Sequence, residues 1–190
     1  MSRDELRRYD ENICRYVRQI GHNRGGLQLK YFQYIALLFT EIYLDRYFVD
    51  RKAFAASLNA FARDKEAETL GLLEVSPFTP EGMNKLAFMS ATGSGKTLIM
   101  HCNILQFLYY LKRAQTGGQR LNINQVIVLA PNEGMSKQHL EELALSDIRA
   151  ALFEKERGFI PATSSQVIVI DMNKLKEEGK HKTVSVDSFE

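Results

Sequence analysis

The apolar positions of this chain change their period partway along, from the three-and-four spacing of helices to short unbroken runs separated by helical stretches. Ser2 followed by Glu5 is a capping-box pattern, and Leu6, Tyr9, Ile13, Val17 and Ile20 follow at helical spacing until Gly21, which predicts an N-terminal helix. Residues 21–26 read as a loop. From Tyr31 to about Phe48 a second helix is predicted, with Phe32, Ile35, Leu38, Phe39 and Ile42 on overlapping faces, so that it is expected to be largely buried. A further helix is expected over Ala53–Ala62, and a polar stretch with Pro77 and Pro80 then leads to Leu86.

Beyond that point strands and helices alternate. The pattern predicts a strand over Leu86–Met89, a helix over Lys96–Arg113, a loop over Ala114–Gln125, a strand over Val126–Ala130, a helix over Ser136–Glu156 with room for a break, and a strand over Val167–Ile170. Short continuous apolar strands separated by helices indicate an α/β fold with a parallel sheet covered on both faces, ligands lying at the carboxyl ends of the strands. The expected division is an α-helical extension over residues 1–80 and the α/β part over residues 81–190.

Composition narrows the class. With 190 residues, 45% hydrophobic and 25% charged, the chain can bury a core of its own. Its apolar runs are interrupted well short of the ~20 residues of a membrane span. The start, Met1-Ser2-Arg3-Asp4-Glu5, is charged and carries no secretory pattern, which with the two cysteines, Cys14 and Cys102, points to the cytoplasm. Both cysteines lie in helical patterns and are expected to pack. A formal net charge of +2 does not by itself argue for nucleic acid. His22, His101, His139 and His181 are scattered without ligand spacing, so no structural metal is expected.

The chemistry concentrates in Ser90-Ala91-Thr92-Gly93-Ser94-Gly95-Lys96-Thr97, which joins the predicted Leu86–Met89 strand to a helix. Binding a triphosphate needs backbone N–H groups turned inward without Cβ obstruction, a helix N-terminus facing the anion, an ammonium for the outer phosphates and a hydroxyl for Mg²⁺. Gly93, Gly95, Lys96 and Thr97 supply these, with Ser90 where the strict phosphate-loop pattern has a further glycine. The fold class expected is therefore a P-loop NTPase.

Three elements together carry a resemblance: Leu29-Lys30-Tyr31-Phe32-Gln33, the loop Ala91–Thr97, and Val128-Leu129-Ala130-Pro131-Asn132 at the end of the next strand. This combination resembles the DEAD/DEAH-box helicases and translocases of superfamily 2, in particular the motor subunits of type I and type III restriction enzymes. That branch has a Leu-Arg-x-Tyr-Gln element, an Ala-Thr-Gly-x-Gly-Lys-Thr loop and a Pro-containing nucleic-acid motif in this order, and does not require glycine at the place of Ser90. The resemblance implies a RecA-like domain that uses ATP and Mg²⁺ to move along or unwind nucleic acid, with DNA the expected track and subunits of a restriction or defence complex as expected partners. It implies that Gln33 recognises adenine, that Ala91, Thr92, Gly93, Ser94 and Gly95 hold the phosphates with Lys96 and Thr97, that Lys96 neutralises β/γ charge, and that Thr97 holds Mg²⁺. Pro131, Asn132, Ser136 and Lys137 would contact the strand. The helices between Gln33 and Lys96 would form an insertion that folds aside.

Val167-Ile168-Val169-Ile170-Asp171 has the form of a Mg²⁺-binding strand, but Met172 stands where such a box carries its catalytic Glu. Two readings stay open: the strand before that box, or Asp171 as the Mg²⁺ partner. Without an Asp-Glu box or a second RecA-like domain the sheet is expected to be incomplete. The four lysines between Lys174 and Lys182 are balanced by acids and read as a solvated loop. The rival functions are a non-catalytic nucleotide-binding or interaction module and a small P-loop phosphotransferase.

Overall fold

The computed structural model describes residues 1–69, 75–121, 123, 125–153 and 167–174. It divides into two units, one made of Met1–Ile13 with Lys30–Leu121 and the other of Cys14–Leu29 with Asn122–Glu190.

The first unit is helical. α1 (Arg3–Gly21) opens on the expected capping box, in which the Glu5 N–H donates to Ser2 Oγ at 3.2 Å and the Ser2 N–H to Glu5 Oε2. Tyr9 and Ile13 bury its apolar stripe in this unit. α2 (Tyr31–Glu68) is continuous except at Asp50, whose backbone leaves the helical region at φ −153° and whose carboxylate accepts the Ala53 N–H at 2.9 Å. Asp50 thus caps a second helical segment, which begins where the sequence pattern places a separate helix. α3 is Lys96–Thr116.

α2 and α3 run in the same direction. Gln33 meets Ser94, Leu37 and Glu41 meet Gln106, Asp45 meets Arg113 and Phe48 meets Gln119, so position rises together on both helices. Leu44, Phe48, Tyr110, Leu111 and Ala114 form the apolar core between them. The first half of α2 is therefore packed lengthwise on α3 and does not fold aside. Nor is it largely buried: Tyr31, Phe32 and Phe39 are exposed, because only one stripe of a helix can face its neighbours.

Two carboxylates cross this apolar interface. Glu41 is fully buried and accepts from Asn12 Nδ2 (2.9 Å), Gln106 Nε2 (2.9 Å) and Tyr110 Oη (2.8 Å). One turn on, Asp45 accepts from Tyr9 Oη and Arg8 at 2.6 Å each and from Arg113 at 2.5 Å. The three helices are thereby fixed in one register, since each acid has donors from both α1 and α3.

Leu86–Met89 is not a strand. The described residues of its unit contain no strand for it to pair with, and a ladder, unlike a helix, needs a partner. Leu86, Phe88 and Met89 are exposed.

The second unit holds a parallel sheet of β1 (Val126–Ala130), β2 (Ala150–Leu152) and β3 (Val167–Asp171) in the order β1-β3-β2. Val126 pairs with Val167 and Ala130 with Asp171 across the β1–β3 ladder. β3 lies between the other two, and all five of its residues are buried, Val167 to Ile170 as an unbroken apolar run and Asp171 as a charged residue at its end. α4 (Glu133–Leu145) packs on all three strands. It ends well before Glu156: Asp147 takes a left-handed φ of 54°, and the Ile148 N–H bonds back to Leu143 O, closing the helix before β2. In the same unit the end of α1 buries Ile20, and Arg24 pairs with Glu142 at 2.8 Å. Cys102 is buried as expected, whereas Cys14 falls on an exposed face of α1. Among the described residues no helix is long and apolar enough to cross a membrane.

Candidate functional site

The phosphate-loop sequence lies entirely in the helical unit. Gly93 (φ 74°) and Gly95 (φ 80°) both hold left-handed backbone, the conformation that lets a tight loop turn its amides inward. Gly95 is the N-cap of α3, so Lys96 and Thr97 occupy its first turn, where backbone N–H groups lack intrahelical acceptors. Thr97 is half-buried there. Lys96 is exposed, and its ammonium donates to Ala91 O at 2.8 Å and Ser90 O at 3.2 Å, closing the loop on itself. Ser90 therefore contributes a carbonyl. The Ser94 hydroxyl is buried without a hydrogen-bond partner, an unused donor inside the loop. Ala91 and Thr92 form the exposed rim.

Gln33, far away in sequence, is brought against this loop. Its Nε2 donates to Ser94 O at 2.7 Å, and its Oε1 accepts the Lys30 N–H at 2.8 Å. The carboxamide thus links the first turn of α2 to the loop opening α3, and the parallel packing of the helices brings their N-termini to the same end. A Cβ on Gly95 would fall 2.6 Å from Gln33 Nε2, so this contact also selects glycine. The arrangement suits a polyanion: two left-handed glycines, a helix N-terminus, one ammonium and one hydroxyl.

The residues at the end of β1 are arranged differently. Asn132 caps α4, its Oδ1 accepting the Met135 N–H at 2.9 Å. Ser136 is buried and its hydroxyl donates to Asn132 O at 3.1 Å, which removes it from the surface expected for a strand contact. Lys137 is exposed and paired with Glu133 at 2.8 Å. Pro131 is exposed and its carbonyl accepts from Asn173 Nδ2 at 3.3 Å. Asp171 is buried, and its Oδ1 accepts the Asn173 N–H at 2.8 Å, capping the turn that follows β3. The lysine-rich tail expected as a solvated loop lies, beyond Lys174, outside the described residues.

The sequence names Lys30 within the Leu29–Gln33 element but does not show that its backbone N–H orients Gln33, and the pair Glu41 and Asp45, which fixes α2 on α3, was missed. A signal for that pair existed: two acids one turn apart inside an apolar helix are buried only when hydrogen-bonded or paired. No cluster of potential metal ligands occurs among the described residues.

Neither a curated protein nor a solved structure matches the chain. A family model described as "Type III restriction enzyme, res subunit" matches residues 44–190, which include the loop, α3 and the sheet but not Gln33. The chain belongs to the family of type III restriction enzyme res subunits, a family of helicase superfamily 2 motor domains.

Proposed function

We propose that this chain carries the ATP-binding part of a cytoplasmic motor that couples ATP hydrolysis to movement along DNA, working with the other subunits of a restriction-type defence complex. The observation that carries this reading is the pair of positive-φ glycines leading directly into Lys96 and Thr97 at the start of α3. In this reading residues 91–97 hold the phosphates through backbone N–H groups, and Lys96 exchanges the Ser90 and Ala91 carbonyls for β/γ-phosphate oxygens. Thr97 would hold Mg²⁺, which supplies charge neutralisation for phosphoryl transfer when bound. Gln33 would read adenine with the lone pair and N–H that its two protein contacts leave over. Residues 1–80 act as a helical extension and residues 81–190 as the first part of a RecA-like domain. Pro131, Asn132 and Lys137 present the exposed end of β1 to a phosphate backbone.

Asp171, whose Oδ1 accepts the Asn173 N–H, keeps its second reading as the Mg²⁺ partner. Met172 stands where the catalytic Glu of an Asp-Glu box belongs, so no acid here is assigned to orient the attacking water. Residues 1–190 are therefore expected to bind Mg-ATP while hydrolysing it near background. Equilibrium titration with Mg-ATP tests the reading: Lys96→Ala loses binding while circular dichroism stays unchanged, and Gln33→Ala relaxes the preference for ATP over GTP. A chain that binds no nucleotide, or a Lys96→Ala variant with wild-type affinity, overturns it.

A further inference from the structure

The face of α2 turned away from α3 has a period of its own. Gln33, Leu37, Glu41, Leu44 and Phe48 are buried, and on the opposite side Phe32, Ile35, Phe39, Ile42, Arg46 and Val49 recur at alternating steps of three and four residues. Five of these six are apolar. That is the a/d spacing of a coiled-coil seam, which a second helix of the same period fills knobs-into-holes. The helix breaks at Asp50, so the seam is about 27 Å long. An isolated pair of such short helices would be marginal, but α2 is already held along its inner side by α3.

The face is large and nearly free of charge. Tyr31, Phe32 and Phe39 are 81%, 46% and 67% exposed. At about 150–250 Å² for an aromatic side chain, these three alone leave roughly 300–500 Å² uncovered on each copy. Val49, 68% exposed, and the half-buried Ile35 and Ile42 enlarge it. Two such faces together bury about 1,000 Å² or more, the size at which specific interfaces begin. Arg46 is the one charge in the seam, so the face offers little to a charged partner, and whatever covers it must bring the same apolar pattern. The chain itself brings that pattern. We propose that α2 pairs with α2 of a second copy, antiparallel about a two-fold axis level with the Thr40–Glu41 peptide. Phe32 then faces Val49, Ile35 faces Arg46 and Phe39 faces Ile42, each contact being made twice. A parallel pair would set Arg46 against Arg46 and bring both helix N-termini together, two repulsions that the antiparallel pair avoids. In the antiparallel pair Arg46 lies about one turn from Tyr31 and Phe32 of the second copy, within reach of a cation–π contact. The proposal does not rest on the motor reading.

Sedimentation equilibrium of the full chain should give a mass that rises towards twice 21.7 kDa as the concentration reaches about 100 µM. Phe39→Glu, at an exposed position, should weaken association at least about thirtyfold while circular dichroism stays unchanged. Phe61→Glu, also exposed but on the helical segment beyond Asp50, should leave association as it is, which separates the seam from general stickiness. In a Cys14→Ser background, a mixture of Phe32→Cys and Val49→Cys chains should form a disulfide on mild oxidation. Phe32→Cys alone should not, because its two copies would lie about 25 Å apart. A chain that stays monomeric at about 100 µM, whether or not this face captures another protein, overturns the proposal. So does association that survives Phe39→Glu or is lost in Phe61→Glu, and so does a Phe32→Cys chain that crosslinks to itself.

Discussion

Gln33 Nε2 stands 2.6 Å from the point where a Cβ on Gly95 would lie, and Gly95 itself sits at φ 80°. Two separate penalties therefore meet in Gly95→Ala. A left-handed alanine costs about 1–2 kcal/mol, which lowers Tm by about 2–8 °C in a chain of this size. The displaced Gln33 also lets go of Ser94. In a Gln33→Ala background the second penalty disappears, so the double variant should be more stable than the sum of the single effects allows. Thermal melts of the four proteins check this, and strict additivity would show that the two residues do not touch.

Glu41 is the acceptor for three buried donors, and Glu41→Leu leaves Asn12, Gln106 and Tyr110 without it. The expected loss is about 3 kcal/mol, or about 6–12 °C in Tm. Glu41→Gln, which keeps acceptor capacity on one oxygen, should lose less. A leucine variant that melts within 2 °C of wild type (about 1 kcal/mol or less) would mean that the network contributes little.

Alkaline pH should unfold the helical unit earlier than an ordinary tyrosine content suggests. Burial, with the hydrogen bond to Asp45 second, pushes the Tyr9 hydroxyl from 10.0 up to about 12. Tyr110, through burial and the Glu41 charge, and Tyr43, through burial, shift the same way. The folded chain keeps protons that the unfolded chain releases above about pH 10, so the stability present below that pH is lost as pH rises towards 12. Cys102, raised by burial from 9.0 to about 12, adds the same sign from about pH 9. Melts taken between about pH 8 and pH 11 should show a falling Tm, with a shallower fall in Tyr9→Phe. An identical slope in that variant would remove Tyr9 from the account.

At the end of β1, capping and strand contact predict opposite outcomes for neighbouring residues. Asn132→Ala removes a helix cap and should cost about 1 kcal/mol of stability. Lys137→Ala breaks only an exposed ion pair, so stability should change by less than about 0.5 kcal/mol. If β1 presents a phosphate contact, Lys137→Ala lowers DNA affinity and reduces its salt dependence by about one unit of slope. Filter binding at several salt concentrations measures both. An unchanged slope removes Lys137 from the contact.

What was legible in the sequence is what local chemistry decides. The capping box at Ser2 and Glu5, the glycines of the loop and the unbroken apolar run of β3 each impose their structure whatever lies around them. Leu86–Met89 was misread because strand formation is decided by a partner that no local pattern names. The helix expected to reach Glu156 stops at Leu145 because Asp147 adopts a left-handed backbone, which aspartate tolerates but does not advertise. The contact of Gln33 with Ser94 depends on α2 and α3 lying parallel, and that arrangement follows from Glu41 and Asp45, whose partners are dozens of residues away.

The parallel course of α2 and α3 has an electrostatic effect of its own. Each helix carries a dipole equivalent to roughly +0.5 charge at its N-terminus, and side by side in the same sense these partial charges repel. The Gln33 hydrogen bond to Ser94 O ties the two positive ends together against that repulsion. A polyanion bound there would neutralise both ends at once, and would act as a fastener between the helices as well as a ligand. The grip of α2 on α3 should therefore tighten with the charge of whatever occupies the loop, and loosen when that charge leaves.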